Sequence, residues 1–541
     1  MKKVLSTLAI FALVLAIMPI MATPASASTV VNITQDMTPA EVQSAIQTEL
    51  NAGRDVTVTG TLSDADAGIV LNIPTARKVD WKAAFSGAPN VNLITTSGGG
   101  LFEVGEGGLL AATGSGIVID AQNSLARVTV SGGTVSSETG RAIFLSGAGG
   151  AGLVVINSGL VTGANPSTSQ ATIQTGNHSI TVNGGTISST DRNAVIVALG
   201  NITVNDGTIE STGVAINSIN TGSTIINNGT VRALGVDWAI SLNAARDITI
   251  NGGVVSGNTG GAVSTQGNIT VTGGTVGAEL VALSARGNNS KVIVSGGLIT
   301  SASRSIDRGT IRMDPTSVGP DNMVIISGTA KVINTATETT SDSRANAINT
   351  RGNVIIIGGE VISEFGNAVY GIGENSKIVK IGGTVTGRTR FNLTGANAIA
   401  VERTGSAPYY AAGSIDGIDV TPARSANVEA YWNVENGEHG ISFRRNTNNG
   451  FAEVVGVWIC DDTDCEHKCP GCDEWGCEPS FEPAAHAECD CGTGFICNSE
   501  HICTPHTGLS DMTGQLALAI VFVVMSMGLW GYVIHSKRRR R

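Results

Sequence analysis

Along most of this chain, apolar and polar positions follow two rhythms at once. Residues 180–189 read ITVNGGTISS. Ile180 and Val182 flank Thr181, the period of two expected of a half-buried strand. Gly184-Gly185 permits a sharp bend, Ile187 is the next inward position, and a third strand is expected at 193–197. The second rhythm is the recurrence of the whole phrase. Taking the second residue of each turn pair as a marker gives Gly108, Gly133, Gly159, Gly185, Gly207 and Gly229. It continues with Gly253, Gly274, Gly297, Gly328, Gly359 and Gly383. The steps run from 21 to 31 residues, a period that belongs to a stacked solenoid.

The third strand repeats as well, at Ala142-Ile143, Ala215-Ile216, Ala239-Ile240, Ala262-Val263, Ala347-Ile348, Ala368-Val369 and Ala398-Ile399. Three strands per repeat with no helix between them predict an all-β, right-handed parallel β-helix. A leucine-rich repeat would need an L-x-x-L-x-L frame, which is absent. One coil cannot bury its own apolar edge. In a stack, the Val and Ile of each coil cover those of the next, while backbone groups pair along the axis. A core of branched aliphatics is narrow for rings, in line with an aromatic content of only 4%.

Asparagine recurs at the bend, as Asn157, Asn183, Asn205, Asn227 and Asn251. In register these side chains predict a polar turn ladder, because Asn tolerates turn backbone and bonds locally. The competing reading is a row of ligand contacts. At the N-terminal end, Thr38-Pro39-Ala40-Glu41 has the form of a capping box with Pro at the first helical position. Val42, Ala45, Ile46 and Leu50 then share one helical face and Gly53 closes the helix. This helix is expected to cover the first coil, with strands beginning at 55–59. N-cap and solenoid together span 28–404.

Beyond residue 404 the glycine phrase stops. Residues 405–459 gather the rings the coils lack and predict closing strands or a small β cap. Tyr409, Tyr410, Tyr431 and Trp432 are candidate sugar-stacking residues there; the alternative is that they fill the cap's own core. Residues 460–503 hold all nine cysteines: Cys460, Cys465, Cys469, Cys472, Cys477, Cys489, Cys491, Cys497 and Cys503. In an exported chain such density predicts disulfides. The rival is a four-sulfur zinc site at Cys465, Cys469, Cys472 and Cys477, where two residues separate one thiolate pair. Residues 489–497 faintly resemble small disulfide-rich modules of the epidermal-growth-factor type.

The two ends place the chain outside the cell. Lys2 and Lys3, the apolar run 4–21 and Ala25-Ser26-Ala27 predict a signal peptide over 1–27. Residues 516–534 carry no charge and are followed by Lys537 and the arginines 538–541, the pattern of a membrane span with a cytoplasmic basic stub. Thr504-Pro505-His506-Thr507-Gly508 stands just before it. Over 504–541 this order resembles a Gram-positive sortase signal of the LPxTG type, with Thr504 in place of the usual Leu. The resemblance implies cleavage after Thr507 by a sortase and attachment to cell-wall peptidoglycan; a plain membrane anchor is the alternative. The formal net charge is −11, and the basic residues at the termini make the displayed part more acidic still. No basic patch suits nucleic acid.

Catalytic chemistry is sparse. His178 is the one histidine within the coils, and a lone histidine is expected at the surface. Glu438-His439-Gly440 lacks acidic partners. Asp64 with Asp66, and Asp416 with Asp419, read as turn or rim acids. No glycine-aspartate calcium loop occurs, although calcium or zinc binding stays open for the acidic and cysteine-rich parts. The Gly-Gly-Thr-Val/Ile coils over about 95–400 resemble β-helical carbohydrate-binding-domain proteins of Gram-positive anaerobes, some of which bind pectic polymers. That resemblance implies a displayed, non-catalytic solenoid for adhesion to glycans or host matrix. A polysaccharide lyase or hydrolase and a passive stalk are the alternatives. The repeated phrase holds no nucleophile and no acid–base pair, so recognition must come from side chains that differ between coils, or from the cap.

Overall fold

The computed structural model describes residues 28–402, apart from short segments at 88–89, 148, 165–170, 190–193, 219–221, 316–321, 338–344, 375, 381 and 395–398. Past 402 it describes only the backbone of the strands named below. The chain divides into two compact units. The first is a parallel β-solenoid of about 14 turns. Each coil contributes one strand to each of three walls. Wall A contains Ser179–Val182, Ile202–Val204 and Thr224–Ile226; wall B contains Thr186–Ser189, Thr208–Ser211 and Thr230–Ala233; wall C contains Ile196–Ala198, Ile216–Ser218 and Ile240–Leu242. Every strand pairs in parallel with its counterpart one coil away, as in Ile187↔Ile209↔Val231 of wall B. The predicted solenoid with three strands per repeat is therefore what forms.

Register follows burial. Val182, Ile187 and Ile196 point inward and are fully buried, and their counterparts in neighbouring coils stack above and below them. A slip of one residue would turn all of them to solvent. One inward position breaks the aliphatic rule. Thr224 stands between Ile202 and Ile248 on wall A, is buried, and its Oγ1 has no hydrogen-bond partner. Among the described residues, the fully buried Trp and Phe rings cluster near the N-terminal end, and Tyr370 is buried towards the other. Trp81, Phe85 and Phe102 form the N-terminal cluster, with centroids 5.7 and 6.0 Å from Trp81, and Trp81 Nε1 donates to Ala83 O.

Helix α1 (Pro39–Asn51) caps this end as predicted. Thr38 Oγ1 accepts from the Glu41 amide and the Glu41 carboxylate accepts from the Thr38 amide at 2.8 Å, which completes the capping box. Val42, Ile46 and Leu50 face the core, while Ala45 stays half-exposed. One strand precedes the expected first strand. Ser28–Ile33 pairs in parallel with 55–60 and buries Ile33; its brief Val31, Ile33 alternation lies outside the glycine repeat. Between this strand and α1 lies an open depression of about 530 Å³. Its two carboxylates are already engaged, Glu41 in the cap and Glu49 with Arg54.

In the second unit, Lys377–Lys380 pairs in parallel with Ile399–Glu402, which continues antiparallel to Tyr410–Ile415. A separate sheet joins Glu429–Asn433, His439–Arg445 and Ala452–Ile459 in antiparallel order, with Ile502–Pro505 and Phe495–Cys497 beyond.

Candidate functional site

The corner between walls A and B is the most uniform part of the solenoid. Ten of the twelve glycine markers, from Gly159 to Gly383, have positive φ; in the two earliest coils the preceding glycines, Gly107 and Gly132, take that conformation instead. Beside them runs the predicted ladder. Each amide donates to the carbonyl oxygen of the Asn one coil earlier: Asn183 to Asn157 at 2.9 Å, Asn205 to Asn183 and Asn227 to Asn205 at 2.7 Å, and Asn251 to Asn227 at 2.8 Å. Asn157 donates onward to Ser131 Oγ, and Thr272 Oγ1 donates to Asn251 from the other end. The ladder thus satisfies itself and is closed by a hydroxyl at each end. This is turn chemistry, and it supports the structural reading of the asparagines.

The outside of wall C is different. Pairing register places Val70, Thr95, Asp120, Phe144, Gln174 and Val197 in one outward column. The same column continues through Asn217, Ser241, Ser264 and Ser284 to Arg312. No residue type recurs coil after coil here except the three serines. The turns on either side vary in length, whereas the A–B corner is nearly constant, so the varied rims of the solenoid border this wall. Loops on a rigid scaffold are where binding residues concentrate.

Four side chains of this column carry a buried polar atom without a hydrogen-bond partner: Gln174 Oε1, Asn217 Oδ1, Ser264 Oγ and Ser284 Oγ. Buried polar atoms are paired in the great majority of cases, so a column of orphans calls for an explanation. Gln174 and Asn217 are themselves half-exposed, and Phe144, Val197 and Ser241 beside them likewise. This stretch of five coils is an open part of the wall. Further along, the Ile306 carbonyl accepts from Asn349 and Asn346, so the 302–308 turn lies across the wall and closes that end.

At the other end of the open stretch, Asp120 is buried and accepts from Asn92 and Gln122 at 2.9 and 2.8 Å and from Ser146 at 3.3 Å. Arg141 lies with its guanidinium 4.5 Å from the Phe144 ring centroid, and its Nε has no partner. Burial lowers the Arg141 pKa, partly opposed by the Asp120 charge.

Two polar side chains hold the corner between walls C and A. His178 is fully buried, not at the surface as a lone histidine was expected to be. Its Nδ1 accepts from the Gly152 amide at 3.0 Å and its Nε2 donates to Gly147 O at 2.8 Å. The ring therefore ties down a glycine-rich turn, and the glycine at 152 leaves it the space. Arg246 is also buried. It donates to Ser218 Oγ, to Gly222 O at 2.9 Å and to Leu199 O at 3.4 Å, so one side chain reaches the preceding two coils. Burial lowers its pKa too.

The residues selected from sequence fall in parts of the chain whose side chains are not described. Tyr410 starts strand Tyr410–Ile415, and Tyr431 and Trp432 are in Glu429–Asn433. Their side chains and Tyr409 lie outside the described residues, as do the nine cysteine side chains, His506, Thr507, Gly508 and the 516–534 run. Thr504 and Pro505 end strand Ile502–Pro505. Asp64 has positive φ and is exposed, as suits a turn acid. Among the described residues, no three His, Cys, Asp or Glu side chains gather as a metal site would require, and no helix is long and apolar enough to cross a membrane. No protein-family model, curated protein or solved structure matches this chain.

Proposed function

We propose that this protein is a displayed β-solenoid that binds glycans along the outside of wall C without turning them over. The observation that carries the reading is the column of unpaired polar atoms on the outside of wall C, where side chains change from coil to coil over the open stretch. Hydroxyl-rich polymers offer donors and acceptors in a row, and an extended chain lying along the axis meets one coil every ~4.8 Å. Display at a cell surface, by sortase attachment or by a membrane anchor, rests on the leader-like N-terminus and on the Thr504–Gly508 motif with its apolar run and basic tail. A lyase or hydrolase would need paired carboxylates converging on a substrate, and the Asp120 carboxylate is already occupied by three donors.

The test is a glycan array probed with the full-length chain, with reducing-end and unsaturated-sugar assays on every glycan retained. Retention without new chain ends is the expected result. Turnover of a retained polymer would replace binding with catalysis, and no retention would leave the passive stalk.

A further inference from the structure

The open stretch of wall C also specifies a class of sugar, an inference that rests on the glycan-binding reading. The turn between walls B and C in the coil of Ser241 carries Leu234 at 43% and Val236 at 60% exposure, and Trp238 in the same turn is half-buried. Two exposed aliphatics and an indole thus fall within one five-residue turn. The Trp238 ring is pressed against the next coil at Gly261, where a Cβ would lie 2.2 Å from ring atom Cζ3. Only a residue without a side chain leaves room for the indole there. Backbone of the next coil thus holds the ring in place at the edge of the polar column.

The column beside it asks for donors. Gln174 Oε1 and Asn217 Oδ1 are carbonyl oxygens, which accept hydrogen bonds and cannot donate them. Rotation of the terminal amide torsion, which is broad and soft, turns such an oxygen outward without giving up an existing bond. A hydroxyl satisfies it; a carboxylate, itself an acceptor, does not. Among the described residues, the column itself also carries no cation that would hold a polyuronate in the middle of the stretch. Between Gln174 and Ser241 the column is Gln, Val, Asn and Ser. The adjoining Arg246 is buried against carbonyl groups, and the turn that bears Trp238 also bears Asp237.

We propose that the Trp238 turn and the Gln174–Ser241 column together form a binding subsite for a neutral polysaccharide, with one pyranose stacked on the indole and its neighbours bonded to Asn217 and Gln174. An apolar sugar face against an indole and equatorial hydroxyls against amide oxygens is the division of labour that an aromatic with polar neighbours provides.

Affinity electrophoresis and titration calorimetry of the full-length chain with mannan, a linear β-glucan, galactan and polygalacturonate test this. Retention by at least one neutral polymer, little changed between low and high salt, is expected, with polygalacturonate excluded. Trp238→Ala should weaken that affinity about tenfold or more, Trp238→Phe by only a few-fold, and Asn217→Ala by about three- to tenfold, the scale of one lost stacking or hydrogen-bonding contact. Thermal melts monitor folding, and if Trp238→Ala does not fold, Trp238→Phe and Asn217→Ala carry the test. Preference for polygalacturonate with steep salt dependence would overturn the neutral class while leaving glycan binding intact. Neutral binding indifferent to all the folded variants would move the site elsewhere, to the aromatic-rich 405–459 region. Failure of the unsubstituted chain to bind any glycan removes the broader reading as well.

Discussion

Two lines of polar side chains run along the middle coils of the same solenoid, and they solve opposite problems. At the A–B corner every rung is alike, and each asparagine spends its donor and acceptor on its neighbours. On the outside of wall C most rungs differ, and acceptors are left unspent. The backbone underneath is the same parallel ladder in both places. Uniform side chains at one corner fix the coil-to-coil register, which frees another face to vary. A polar row is therefore read by its hydrogen-bond completion, not by its composition.

The largest effect is expected at the uniform corner. Gly229 has φ +87°, and a Cβ there would fall 2.6 Å from Gly207 O. Gly229→Val combines a left-handed branched residue with a backbone clash and should cost several kcal/mol. Chemical denaturation should show a marked fall in midpoint or loss of the folded state. A near-neutral result would mean that the corner adapts freely, and the contrast between the two lines would lose its basis.

Next, Asn205→Ala removes one bond given and one received in the middle of the ladder and should destabilise by about 1 kcal/mol. Asn217→Ala, on wall C, removes an amide whose oxygen is already unpaired and should leave the melting temperature close to unchanged. Equal losses for the two asparagines would erase the distinction.

Thr224→Val sharpens the comparison from inside. The threonine hydroxyl is buried without a partner in an aliphatic column, so its replacement by a methyl group should raise stability by about 1 kcal/mol. A loss of stability would point to a bond the hydroxyl makes in solution.

The smallest effect concerns acid. The ladder contains no titratable group, whereas α1 depends on one. The Thr38 amide, and then its hydroxyl, hold the Glu41 carboxyl below its ordinary value near 4.5. Because the folded value is the lower one, the contribution is complete above 4.5 and is lost as pH falls through the folded value. Acid titration followed by amide exchange should loosen α1 first, and Thr38→Ala should reduce that dependence in part, since it removes the hydroxyl bond and keeps the larger amide one. Protection of the ladder corner should not change over the same range.

Much of the uniform line is legible in the sequence because identity repeats there. The glycine marker, the asparagine at its side and the Ala-Ile pair of wall C each recur with a spacing that can be counted. The capping box is equally plain, being local. The varied line is not legible, since Gln174, Asn217 and Ser284 share a column only through pairing register, and the turns that separate them differ in length. Nor does sequence reveal which carbonyl oxygen lacks a donor. The burial of His178 is hidden for a related reason. Its partners, Gly152 and Gly147, belong to the coil before it, and nothing nearer in sequence explains how a ring so polar leaves the surface. Trp238 gives no signal of its own beside the clustered rings of residues 405–459, because the space for its indole is made by Gly261, a coil later.

The axial direction of the wall hydrogen bonds has a mechanical consequence. Tension applied along the solenoid passes through every coil in series, and an end coil, paired on one side only, is the first to peel away. Each coil of 21 to 24 residues in the regular middle section would release roughly 70–80 Å of extended chain at ~3.4 Å per residue. A molecule built this way lengthens in steps under load, and coils that remain keep both of their polar lines intact.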